Sequence, residues 1–81
     1  MPQAAYILIT TKYGKERIVC RDLLEHKEIQ DANILYGEYD ILAKIIAQDM
    51  KQIDNFILTK IRTNPHIEST HSLIVVDNSE D

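Results

Sequence analysis

Apolar positions along the chain switch between strand-like and helix-like spacing, and the switches set out the elements. "AAYILITT" (Ala4 to Thr11) is rich in β-branched and aromatic residues and stops at Lys12-Tyr13-Gly14, which predicts a strand and a glycine-containing turn. "KERIVCRDLLEH" then sets Ile18, Val19, Leu23 and Leu24 on one side with charges between them, the period of about 3.6 residues of an amphipathic helix. "IQDANILY" and "YDILAKIIA" read as two strands joined by Gly37-Glu38. A two-residue loop with glycine first suits a type II′ hairpin turn, because glycine accepts positive φ without steric cost. Asp49 and Gln52 open a second helix as a capping box, and Met50, Ile53, Ile57 and Ile61 follow at helical spacing. Asn64-Pro65 ends that helix, since proline disfavours helical geometry in the residue before it. "IESTHSLIVVD" (Ile67 to Asp77) is the last strand, and residues 78–81 form a frayed acidic tail.

The order strand, helix, strand, strand, helix, strand predicts an α+β, ferredoxin-like βαββαβ fold. It has one four-stranded antiparallel sheet with two helices on one face, and right-handed crossovers place the first and third strands in the middle. With Gly37-Glu38 as the turn, Tyr36 pairs with Tyr39, Leu35 with Asp40, Ile34 with Ile41, Asn33 with Leu42, Ala32 with Ala43 and Asp31 with Lys44. Tyr36 and Tyr39 then face the helices with Ala32, Ile34, Ile41, Ala43 and Ile45. Asp40 falls on the other face with Asp31, Asn33, Leu35, Leu42, Lys44 and Ile46, and Asp31 and Lys44 form a cross-strand ion pair. An open antiparallel face is ordinarily polar, but this one is half apolar, and the first and last strands are apolar at successive positions. The expectation is a homodimer packed through the sheets, in the manner of a dimeric α+β barrel.

The 81 residues make one domain, 1–81, whose core is thin. A chain of this size buries only about 60% of its unfolded surface, so a partner copy is an expected source of further burial. Cys20, the single cysteine, excludes an internal disulfide and reads as a small packing residue in a reducing compartment. His26, His66 and His71 lack ligand spacing, so neither a metal nor a cofactor is expected. A net charge of −4 with scattered lysines and arginines argues against a nucleic-acid face. No apolar run approaches the roughly 18 to 20 residues of a membrane span, and "MPQAAYILITT" lacks a basic leader region. The chain reads as a cytoplasmic domain.

"AYILITTKYGKERIVCRDL", "ILYGEYDILAKI" and "IRTNPHIESTHSLIVVD" together resemble the effector-binding domain of the Lrp/AsnC family, also called the RAM domain. The resemblance runs from about Ala4 to Asp77, and its most specific part is the Gly-x-Tyr-Asp turn within this strand order. It implies dimers built through the sheets and higher rings such as tetramers of dimers. An amino-acid effector between dimers, near the glycine turn and the last strand, is also implied. Family regulators carry a helix-turn-helix ahead of this domain, so the resemblance is to a stand-alone effector domain acting through protein partners, among them a full-length regulator. The family often has threonine where this chain has Ser72.

Candidate ligand contacts are therefore Tyr36, Gly37, Glu38, Tyr39 and Asp40 at the turn and Ser69, Thr70 and Ser72 on the last strand. Backbone N–H groups near Gly37 suit a carboxylate, Asp40 suits an ammonium group, and the "STHS" hydroxyls offer further donors. As a simpler reading, the glycine makes a hairpin turn, Glu38 is solvated and the serine run is a hydrated strand end. Two other classes stand beside the effector domain. One is a small dimeric α+β barrel enzyme of isomerase or monooxygenase type, but no serine or cysteine nucleophile is paired with a base here, so no catalytic residue is expected. The other is an adaptor that forms mixed oligomers with full-length regulators.

Overall fold

The computed structural model describes residues 2–76, so the tail expected at 78–81 lies outside the described residues. Strands β1 (Gln3–Thr11), β2 (Ile29–Ile34), β3 (Ile41–Ala47) and β4 (Ile67–Ile74) form one antiparallel sheet in the order β2-β3-β1-β4, as the crossover rule requires. Helix α1 (Glu16–Leu24) packs on β2, and α2 (Met50–Phe56) packs on β3 and β1.

Strict alternation builds the core. Ala5, Ile7 and Ile9 of β1 and Ile41, Ala43 and Ile45 of β3 point under the helices and are fully buried. Val19 and Leu23 of α1 meet them, as do Ile53, Phe56, Ile57 and Ile61 of the second helical segment. Ile18 and Leu24, expected on the buried side of α1, stand 38% and 53% exposed. A nine-residue helix over one edge of a small sheet covers it with a narrow stripe only, and Val19 and Leu23 fill that stripe.

The start of α2 follows the capping logic. Asp49 Oδ1 accepts from the Gln52 N–H at 2.9 Å. The Gln52 side chain reaches one residue further back than a capping box requires, and its Oε1 accepts from the Gln48 N–H at 2.7 Å. After Phe56 the helix widens into a π turn (Ile57–Ile61), closed by the Arg62 N–H to Ile57 O at 2.9 Å. The Thr59 and Thr63 hydroxyls donate to the carbonyls of Asn55 and Thr59 four residues back, a competition with the backbone ladder that loosens this segment.

The β2–β3 register is the predicted one from Asp31↔Lys44 to Ile34↔Ile41, but the ladder stops there. Leu35 N–H still donates to Asp40 O at 2.8 Å, and the connection runs over Leu35–Asp40 instead of two residues. Gly37 has φ 159°, near extended and far from the roughly +60° of a type II′ first position. Tyr36 is accordingly released into solvent and does not face the helices. Tyr39 is turned to the other side, where its ring centroid lies 6.5 Å from that of His71. The ion pair expected between Asp31 and Lys44 is replaced by two other contacts. Lys44 Nζ lies 5.5 Å above the Tyr6 ring, and Asp31 Oδ2 accepts from Asn33 Nδ2 at 3.2 Å.

Candidate functional site

Three segments converge where β1 ends, and the backbone fixes each. The β1–α1 turn depends on Gly14, whose φ of 76° is left-handed and favours glycine. Lys15 N–H closes that turn on Lys12 O at 3.0 Å, and Lys12 N–H donates to His66 O at 2.9 Å, which draws the approach to β4 against it. The β2–β3 connection arrives from the other side. β4 carries a bulge here: Thr10 stands opposite Ser69 but Thr11 opposite Ile67, so Glu68 is the extra residue. Bulges re-aim side chains near functional surfaces, and Glu68 is turned into the space between the three segments.

The result is an open groove of ≈ 660 Å³, walled by Lys12, Tyr13, Glu16, Leu35, Tyr36 and Glu68 and floored by Thr11 and Asp40. Asp40 is the best-fixed polar group in it. Its Oδ2 accepts from the Thr11 N–H at 2.8 Å and from Thr11 Oγ1 at 3.4 Å, and its own N–H donates to Ile9 O at 2.9 Å. Thr11 is 8% exposed, so the clamp sits at the buried lip of the sheet. Asp40 is thereby tied to the end of β1 instead of standing free on the open face. Only one of its two carboxylate oxygens is engaged by Thr11. Tyr13 and Tyr36 stand wholly exposed at the two rims.

Of the residues singled out from the sequence, Tyr36, Gly37 and Asp40 line the groove together. Glu38 is exposed at the turn tip. Tyr39 belongs to the open face with His71. Ser69 is tied to Thr10 by a short hydroxyl–hydroxyl hydrogen bond, and Thr70 and Ser72 stand opposite Ile9 and Ile7, on the helix side of β4 and away from the groove lining. Thr11, Lys12, Tyr13, Glu16 and Glu68 were not singled out. Lys12-Tyr13-Gly14 was legible as a turn, and a second glycine turn at the same end of a ferredoxin-like sheet was the available signal. The bulge at Glu68 had none.

The opposite surface of the sheet is uncovered. Tyr6, Leu8, Leu42, Lys44 and Ile46 stand there, half-buried only by one another, beside the more exposed His71 and Leu73. Among the described residues no group of three His, Cys, Asp or Glu could hold a metal, and no helix is long and apolar enough to cross a membrane. Burial pushes the Cys20 thiol above its ordinary pKa, and the nearby Asp31 charge adds to the shift, so the thiol is a poor nucleophile.

Residues 4–81 match the family model described as the Lrp/AsnC ligand binding domain. The HTH-type transcriptional regulator FL11 of Pyrococcus abyssi is 35% identical over 72 residues, which are 89% of this chain and 47% of that protein. The chain thus spans about half the length of the curated relatives it matches. Among solved structures, FFRP-DM1 superposes with a TM-score of 0.89 at 40% identity, over 91% of this chain and 99% of that one. The complex of transcriptional regulator NMB0573 from Neisseria meningitidis with L-Met has a TM-score of 0.86 over 98% of this chain and 53% of that one. Its 18% identity shows a shared fold.

Proposed function

Because this chain belongs to the Lrp/AsnC ligand-binding-domain family, whose curated members here are named transcription regulators, we propose that it is an amino-acid-binding, oligomerising regulatory domain. Its effector is a free α-amino acid, held at the groove between the two glycine turns, and it modulates transcription through protein partners. The observation that carries this reading is the Asp40 clamp. Thr11 holds one carboxylate oxygen at 2.8 Å and leaves the other to receive an ammonium group. Lys12 and the turn backbones offer positive charge and N–H groups for the ligand carboxylate. The L-Met complex of the Neisseria regulator supports an amino acid as the ligand class on this fold. The open face, apolar at Leu8, Leu42, Ile46 and Leu73, packs against its own copy and supplies burial that 81 residues lack alone.

A thermal-shift screen of the twenty amino acids tests the ligand. Binding to the native state alone adds about 2.7 kcal/mol of stability at a ligand concentration about 100-fold above Kd. At least one amino acid should raise Tm in the wild type and fail to do so in Asp40→Asn, whose amide oxygen still accepts from Thr11. A flat response to all twenty rejects the reading.

A further inference from the structure

The groove between the two glycine turns carries more negative charge than the main-chain groups of an amino acid can use. We propose that its effector is an α-amino acid with a cationic side chain, of the lysine or arginine class, whose distal charge is taken by Glu16 and Glu68. This rests on the amino-acid-binding reading above and adds to it the class of side chain.

Charge balance carries the inference. Asp40, Glu16 and Glu68 line the groove against one basic side chain, Lys12. With an α-ammonium group on Asp40 and an α-carboxylate on Lys12, the main-chain part of any amino acid is matched, and Glu16 and Glu68 are left over. A concave surface lined by one sign of charge concentrates ligands of the opposite sign. An acidic side chain would meet two like charges there. A bare metal ion does not answer the surplus either, because among the described residues no group of three His, Cys, Asp or Glu is placed to hold one.

The two spare carboxylates come from different parts of the chain. Glu16 is half-buried in the first turn of α1, where the positive end of the helix favours a carboxylate with or without a ligand. Glu68 has no such local reason. It is the extra residue of the β4 bulge, exposed, and presented to the groove by that irregularity.

The remaining walls suit the stem and tip of a long cationic side chain. An apolar effector calls for a lining made mainly of apolar side chains, and Leu35 is the one aliphatic side chain in this lining. That is enough to cover the methylene stem of a lysine or arginine, which leaves its charged head near water. Tyr13 and Tyr36 stand wholly exposed at the two rims, and the face of a tyrosine ring attracts an ammonium or guanidinium group.

Isothermal titration calorimetry of the full chain tests the assignment. It compares L-lysine and L-arginine with L-glutamate and with L-norleucine, which keeps lysine's carbon chain but lacks its ε-ammonium group. Lysine or arginine should bind roughly tenfold more tightly than norleucine, as two partly exposed charge pairs would give, and glutamate should bind more weakly than either. In the Glu16→Gln, Glu68→Gln double variant that advantage should fall to about twofold or less. Circular dichroism confirms folding, and the exposed Glu68→Gln single variant keeps the test available if the double variant does not fold, with an expected loss of about threefold in the same advantage. Binding of a neutral amino acid with lysine and arginine silent overturns the cationic assignment and leaves the amino-acid reading standing. Silence from all twenty amino acids removes both. A lysine advantage that survives removal of the carboxylates overturns the roles of Glu16 and Glu68, as does an equal loss of lysine and norleucine binding.

Discussion

The two faces of this sheet are made by the same strands and nearly the same residue types, yet they meet different fates. Under the helices Ile7, Ile9, Ile41 and Ile45 are completely buried by the chain's own elements. On the other side Leu8, Leu42 and Ile46 alternate with them and meet only their neighbours, with Leu73 at 46% exposure. Alternation alone would have made the second face polar. That it is half apolar sets it apart from an ordinary solvated face and is the pattern that the proposed packing between copies requires. Polar residues are not absent from the open face, but they are busy with each other: Lys44 with the Tyr6 ring, Asn33 with Asp31.

Substitutions can break this comparison in order of size. Ile7→Ala or Ile45→Ala removes fully buried volume under two helices and should cost about 2–5 kcal/mol, read as a fall in the urea midpoint. Leu8→Ala on the opposite side of the same strand should cost much less in a variant held monomeric, and more where the assembly forms. Asp49→Ala removes a side-chain cap on the Gln52 N–H and should cost about 0.5–2 kcal/mol whatever the assembly state, which separates local from intermolecular stabilisation. The smallest effect concerns Cys20. With its thiol pKa raised by burial and by Asp31, the thiolate fraction near neutral pH is small, so alkylation should be slower than for free cysteine and should accelerate as pH rises. An unfolded control reacting no faster would contradict that environment.

Much of the covered face was legible in the chain. The alternation of β1 and β3, the Asp49 cap and the Asn33↔Leu42 register all follow from local rules, because each needs only a period or one capping side chain. The hairpin was legible as a bend but not in its geometry. A glycine can supply several backbone conformations, and here it lets a longer connection swing Tyr36 outward and tie Asp40 to Thr11. That tie joins residues 29 positions apart, and no local pattern encodes it. Glu68 was illegible for a similar reason, since a bulge is a property of two strands in register and not of one. Ser69, Thr70 and Ser72 looked like site residues because they interrupt an apolar run. On an edge strand such an interruption is also what exposure demands.

Hydroxyl-radical footprinting tests the contrast between the two faces most directly. At concentrations where the assembly forms, Leu8 and Leu42 should be protected in the wild type while Tyr13 and Tyr36 at the groove rims oxidise freely. In the Leu42→Asp variant Leu8 should become reactive while Ile7 and Ile9 beside it stay silent. Equal oxidation of Leu8 in both proteins at every concentration would contradict a sheet built for a second burial.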